Sequence, residues 1–378
     1  MEARVPGLLP HVDPDGLLEY SVVYTDRAIN HMSQQFQGVM RDVSAMLKKV
    51  YGAKSAIVVP GSGTFGMEAV ARQFATGKKC LVIRNGWFSY RWSQILEMGN
   101  ITPSITVLKA RPVEQGGQAA YAPVPIEEVV ATIRETKPDL VFAPHVETAS
   151  GMILPDDYLR KVAEAVHTVG GMFVLDCIAS GAVWVDIQAI GIDILVSAPQ
   201  KGWSASPCCG LVMLSPLARE RIDSTTSSSF ACDLRKWMQI MEAYEGGSFA
   251  YHATMPTDGL AVLRKVMREM DEYGFDKLKA EQQELGKRVR ALFESKGIKS
   301  VAAEGFKAPG VIVSYTDDDE VKSGKKFAQA GIQIAAGVPL QCDEPADFKT
   351  FRVGLFGLDK LRNIDRTVAS LAKALETI

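Results

Sequence analysis

The chain predicts an α/β architecture, in which a large domain has a mostly parallel central sheet covered by helices and a small C-terminal α/β domain follows. Two observations carry this. Between residues 55 and 213, short β-branched apolar runs alternate with amphipathic helical stretches. Runs that are apolar throughout, rather than at every second residue, belong to strands buried on both faces. After residue 258 the texture changes to a long stretch rich in Leu, Met, Lys and Glu, with two short strand-like runs beyond it. In order, strands are expected at 56–59, 80–83, 105–108, 140–143, 172–175, 194–196 and 211–214. Helices are expected at 66–74, 126–135 and 155–167, the last with Leu159, Val162 and Ala163 at helical spacing. A single long helix at 258–296 then leads to strands at 310–315 and 351–354 and a last helix at 363–378. The polar tract at 224–229 reads as an exposed loop of the first domain. With 378 residues the chain is long for one compact core. The expected division is 1–258 for an N-terminal segment and the large domain, and 259–378 for a connecting helix and the small domain.

Composition narrows the function. With 42 basic against 44 acidic residues, charge-driven nucleic-acid binding and a polybasic membrane anchor are excluded, and small-molecule chemistry is favoured. The first thirty residues contain acids and prolines and no uninterrupted apolar core, so neither a signal peptide nor a membrane span is expected and the location is expected to be cytoplasmic. Cys80, Cys177, Cys208, Cys209, Cys232 and Cys342 form no CxxC pair, and the histidines are scattered. They read as reduced thiols, with no bound metal.

The chemistry gathers at strand ends, where open parallel sheets bind ligands. Asp176 closes one apolar run, and Lys201 follows the next in Ser197-Ala198-Pro199-Gln200-Lys201, 25 residues on. A carboxylate that keeps a pyridine nitrogen protonated and an amine that forms a Schiff base are what pyridoxal 5′-phosphate (PLP) requires. Pro60-Gly61-Ser62-Gly63-Thr64-Phe65-Gly66 follows a strand and opens a helix, and unpaired N–H groups at a helix start make a phosphate cradle. It is neither a GxGxxG fingerprint nor a P-loop with its lysine, which disfavours dinucleotides and nucleoside triphosphates. Asn85-Gly86-Trp87-Phe88-Ser89 places aromatics at the next strand end, where one ring can stack on a cofactor or simply cap the core. In His145-Val146-Glu147-Thr148, the Thr148 hydroxyl can meet a phenolic oxygen or cap a turn, and His145 reads as a buried, satisfied histidine.

These motifs, together with Tyr251-His252-Ala253-Thr254-Met255-Pro256 and Arg352-Val353-Gly354-Leu355, make nearly the whole chain resemble the class V aminotransferases of PLP fold type I. It is most similar to those acting on alanine or serine with glyoxylate or pyruvate. The resemblance implies that Ser62, Gly63, Thr64 and Gln200 bind the phosphate and that Phe88, rather than Trp87, stacks on the ring. It implies Thr148 at the ring oxygen, Asp176 at the pyridine nitrogen and Lys201 as the Schiff-base lysine. Arg352 would grip the substrate carboxylate, and Tyr251 and Thr254 would reach the cofactor phosphate of the neighbouring subunit in a homodimer. The implied reaction is a ping-pong transfer from a small amino acid to a small 2-oxo acid.

The chain departs from the family near the substrate, in Asp13-Pro14-Asp15-Gly16-Leu17-Leu18-Glu19-Tyr20-Ser21 and in Gly202-Trp203-Ser204-Ala205-Ser206-Pro207-Cys208-Cys209. Tyr24, His31 and Trp203 are candidates for lining that pocket or for packing. The same fold and cofactor also serve lyases, desulfurases and aminophosphonate transaminases. A desulfurase needs a nucleophilic thiol, for which Cys342 is the candidate, but Asp343 and Glu344 beside it oppose a thiolate.

Overall fold

The computed structural model describes residues 17–378; of the divergent segment from Asp13 to Ser21, the part up to Gly16 lies outside them. The large sheet has seven strands: β1 (Ser55–Pro60), β2 (Cys80–Arg84), β3 (Ile105–Lys109), β4 (Leu140–Pro144), β5 (Met172–Asp176), β6 (Ile194–Ser197) and β7 (Cys209–Leu214). Their spatial order is β1-β7-β6-β5-β4-β2-β3. Strand β7 is antiparallel to both β1 and β6, while the pairs β6/β5, β5/β4, β4/β2 and β2/β3 are parallel. The carboxyl ends of β1, β2, β4, β5 and β6 therefore open along one edge, where the motifs of Ser62, Phe88, Thr148, Asp176 and Lys201 are expected.

Continuous burial of β2, β4, β5 and β7 follows from their apolar runs and from helices on both faces. Helix α1 (Gln34–Tyr51), which the sequence reading did not include, buries Phe36, Val39, Met40, Val43 and Leu47 on one face. Each such side chain contributes roughly 1.5–3 kcal/mol. Ser33 caps its start by accepting from the Phe36 N–H, and Gly52 ends it at φ 63°. A side chain at Gly52 would also meet the Asp186 carboxylate at 2.8 Å, so Gly52→Ala is blocked on both counts. Helices α2 (Gly63–Phe74), α3 (Trp87–Met98), α4 (Ile126–Thr136), α5 (Asp156–Thr168) and α6 (Leu234–Glu245) complete the layers.

The long helix expected at 258–296 is two helices, α7 (Thr257–Tyr273) and α8 (Phe275–Ser295), broken at Gly274. Gly274 takes φ 102° and ψ 121°, which a glycine adopts freely and an L-residue does not, so the chain turns a corner there. Leu260, Leu263, Met267, Leu278 and Leu285 of the two helices join the same apolar core as the large sheet. A second sheet follows, in which β8 (Val311–Tyr315) and β9 (Ala335–Ala336) flank β10 (Thr350–Gly354), antiparallel on both sides. Strand β9 is too short to show in sequence. The expected last helix forms over Ile364–Ala374, and the tract at 224–229 is a surface loop with Ser224, Thr226 and Ser228 exposed. Among the described residues no helix is long and apolar enough to cross a membrane, and no cluster of His, Cys, Asp or Glu is arranged to hold a metal ion.

Candidate active site

At the end of β1 the chain turns through Gly61 (φ 119°) into α2. Ser62 stands at the N-cap with extended backbone, and its hydroxyl makes no capping bond. It therefore stays free to meet a ligand beside the unpaired N–H groups of the first turn. A Cβ on Gly63 would lie 2.6 Å from Ile178 Cδ1 and 3.1 Å from Ala198 Cβ, so a side chain there would force Ile178 to shift. Strand β7 passes directly beneath, because a Cβ on Gly210 would be 2.8 Å from both Gly66 N and Ser62 O.

Helix α3 starts at the end of β2 and is held by an acid from another element. Glu147, fully buried, accepts from Ser89 N–H (2.8 Å), Ser89 Oγ (2.7 Å), Phe88 N–H (3.3 Å) and Ala149 N–H (2.9 Å). A carboxylate at a helix start satisfies orphan donors and meets the positive end of the dipole. Gly86 is required for it, since a Cβ there would sit 2.7 Å from Glu147 Cγ. The backbones of Phe88 and of the Thr148 segment are thus tied to one side chain. Thr148 is buried, and its Oγ1 has no hydrogen-bond partner. Such an orphan costs about 1–3 kcal/mol unless a ligand pairs with it.

Asp176 ends β5 and is buried, with Oδ1 accepting from Ile178 N–H at 2.9 Å. Burial pushes its carboxyl up to about 6; the Ile178 bond opposes this, the Glu147 charge adds to it, and Lys201 and Arg91 pull it back. A cation placed against it restores the ionised form. Lys201 follows β6, and its neighbour Gly202 lies so close to Gly181 that a Cβ would be 2.2 Å from the Gly181 carbonyl oxygen. The Lys201 ammonium stands 5.9 Å from the Phe88 ring centre and 5.6 Å from that of Phe356. Burial holds its pKa below the ordinary lysine range; Asp176 works against the shift, while Arg352 and Arg91 reinforce it. Arg352 reaches in from β10, its Nε donating to Ala336 O at 2.8 Å and its guanidinium carbon 5.4 Å from the Phe88 ring centre. Ser62, Gly63, Thr64, Phe88, Thr148, Asp176, Gln200 and Lys201 line a single cleft of about 230 Å³.

Tyr251 and Thr254 are not brought there within one chain. They bond to each other at the surface (3.1 Å), and Tyr251 is 53% exposed. Trp203 is core packing rather than pocket lining: fully buried, it sits 4.7 Å from Trp184 and about 6 Å from Tyr51 and Phe275. His31 packs against Tyr24 and Tyr251 (5.5 Å each) outside the cleft, and Tyr24 donates to Met255 O. His145 is a satisfied core histidine, paired with Ser180 Oγ at 2.7 Å and pushed down to about 3 by burial. Cys342 is buried and its thiol is pushed up to about 12, by burial first and then by Glu147 and Glu344, so a desulfurase nucleophile has no support there.

The family described as Aminotransferase class-V matches residues 16–355. The chain belongs to the class-V aminotransferases. The alanine–glyoxylate aminotransferase of Oryctolagus cuniculus is 26% identical over 361 residues, covering 92% of this chain and 87% of that protein. A solved alanine–glyoxylate aminotransferase from Nostoc sp. superposes with TM-score 0.76 at 20% identity, over 91% of this chain and 88% of that one. The ureidoglycine–glyoxylate aminotransferase of Bacillus subtilis gives 0.74 at 23%, over 90% and 85%. The fold is PLP fold type I.

This aminotransferase uses PLP, and its cleft fits that cofactor. The orphaned Thr148 hydroxyl, the uncapped Ser62 hydroxyl, the glycine-floored helix start, a flat ring at Phe88 and an acid and amine on adjacent strands suit a phosphorylated pyridine aldehyde. Two residues of the site carried no role in the sequence reading. Glu147 showed only as an acid within a strand-end motif, and Arg91 follows Phe88 by three positions, the spacing that puts both on one helix face.

Proposed function

We propose that this aminotransferase moves an amino group from a small amino acid of the alanine or serine type to a small 2-oxo acid such as glyoxylate or pyruvate, by ping-pong turnover. The observation that carries it is the approach of both the Arg352 guanidinium and the Lys201 ammonium to one ring, Phe88, which lines the same cleft as Asp176. The planar fork of Arg352 suits a substrate carboxylate. Lys201, with its depressed pKa, is then placed to take the α-proton and return it. When bound, the cofactor's protonated ring accepts the electron pair left by that proton. With the cofactor bound, Asp176 would keep the ring nitrogen protonated, Thr148 would donate to the ring oxygen, Phe88 would stack on the ring, and Ser62, Gly63, Thr64 and Gln200 would hold the phosphate. The alanine–glyoxylate relatives support the substrate class. Assays of alanine with glyoxylate, serine with glyoxylate and serine with pyruvate should give turnover and parallel double-reciprocal lines. Intersecting lines would remove the ping-pong scheme, and no turnover with any of these three pairs would remove the substrate class.

The active unit is proposed to be a homodimer with shared sites, with each chain dividing at the start of α7 into domains 1–258 and 259–378. Tyr251 and Thr254 support the dimer, since both lie at the surface away from their own cleft. Each pair would then reach the partner's cofactor phosphate. Mixing inactive Lys201→Ala with inactive Tyr251→Ala/Thr254→Ala under subunit exchange should restore activity, because one site of each hybrid carries both defects and the other none. Persistent inactivity with exchange demonstrated would contradict shared sites.

A further inference from the structure

The cleft holds a cation to which the reading above gives no task. Arg91 is the fifth residue of α3, half-buried, and lines the same cleft as Ser62, Gly63, Thr64 and Gln200. Its Nη1 donates to Thr64 Oγ1 at 3.0 Å, the one hydrogen-bond partner it has among the described residues. Its guanidinium carbon stands 5.2 Å from the Phe88 ring centre. Two other cations near the Phe88 ring, Arg352 and Lys201, are placed differently. Arg352 is tied back to β9 through Ala336 O, and Lys201 lies between Phe88 and Phe356.

A phosphate seated on the turn would otherwise meet neutral donors only: the hydroxyls of Ser62 and Thr64, the amide of Gln200 and the N–H groups of α2. A helix start supplies roughly half a positive charge. A phosphate monoester carries about −1.5 to −2 at neutral pH, and withdrawing that from water without a full counter-charge is costly. Thr64 shows how the cation couples in. Because its oxygen accepts from Arg91, its own O–H proton is left to donate to a ligand. A hydroxyl polarised by a guanidinium is a stronger donor than one in isolation.

We infer that Arg91 is the charged partner of the cofactor's phosphate, acting beside Thr64 and through it, and that it makes the cleft select the phosphorylated cofactor over its unphosphorylated form. The inference rests on the cleft being the cofactor site, and the test separates the two. Apoprotein is titrated with PLP and with pyridoxal, which has the same ring and aldehyde without the phosphate, and binding is followed by quenching of tryptophan fluorescence. Wild type should prefer PLP. Arg91→Gln should weaken PLP by about ten- to a hundredfold, the range for losing a charged hydrogen bond, while pyridoxal binding is unchanged. Arg91→Lys, keeping the charge without the fork, should fall between, and it serves as the comparison should Arg91→Gln not fold. An unaltered PLP-to-pyridoxal ratio in the variants would overturn the inference. So would a raised KM for the amino donor at an unaltered ratio, which would put Arg91 on the substrate instead. Wild type that binds PLP no better than pyridoxal would overturn the phosphate cradle itself, a different failure from that of Arg91.

Discussion

Lys201→Ala should lower turnover by at least about a thousandfold, within the range that a positioned acid–base group contributes and before the loss of the covalent anchor is counted. The fold should survive, because Lys201 is only half-buried and makes no hydrogen bond that the core depends on. Electrostatics adds a second consequence. The Lys201 charge is among those that pull the Asp176 carboxyl down from its burial-raised value, so in the variant without cofactor Asp176 should titrate above about 6. In wild type, borohydride reduction followed by peptide mapping should place the pyridoxyl label on Lys201. A label on another lysine, or turnover of Lys201→Ala within tenfold of wild type, would falsify the assignment.

Arg352→Ala should lose about a hundredfold in kcat/KM for carboxylate substrates, since removing one partner of a charge-assisted fork typically costs a few kcal/mol. Cofactor binding should persist, because Arg352 comes from β10 and not from the strand ends of the large sheet. Arg352→Lys should restore little, having no planar pair of donors. The pH profile should move as well. Arg352 is one of the charges that hold the Lys201 pKa down, so its removal raises that pKa and shifts the fraction of free amine toward alkaline pH. Normal turnover of small amino acids by Arg352→Ala, with an unmoved profile, would mean that another group binds the carboxylate.

The motifs at the strand ends were legible because strands covered on both faces must be apolar throughout, so a polar residue that closes such a run stands out. Asp176 and Lys201 lie 25 residues apart in the chain, yet they follow β5 and β6, which pair in parallel from Ile194↔Val174 to Val196↔Asp176. Neighbouring parallel strands end at the same edge, which is why their separation in sequence conceals so little. Helix α1 carries the same kind of signal, with Phe36, Val39, Met40, Val43 and Leu47 at helical spacing on one buried face. The break at Gly274 was hidden by composition, since Leu, Met, Lys and Glu continue on both sides and one glycine is tolerated inside many helices.

Sequence by itself determined the sheet, its functional edge, the family and the residue types gathered at that edge, because these follow from local patterning and from motifs of adjacent residues. Tertiary structure alone decided which of the isolated polar residues do anything together. Glu147 became the clamp on α3 only when the segment that follows β4 brought it against Gly86, 61 positions earlier in the chain. Arg91 became a cation of the cleft only when α3 packed beside α2 and brought it to Thr64. Trp203 was removed from the substrate pocket by the aromatic cage of Tyr51, Trp184 and Phe275, supplied by three distant segments. Burial, desolvation and pairing depend on neighbours that the fold supplies from afar, so a side chain's charge state and task are properties of its surroundings rather than of its place in the chain.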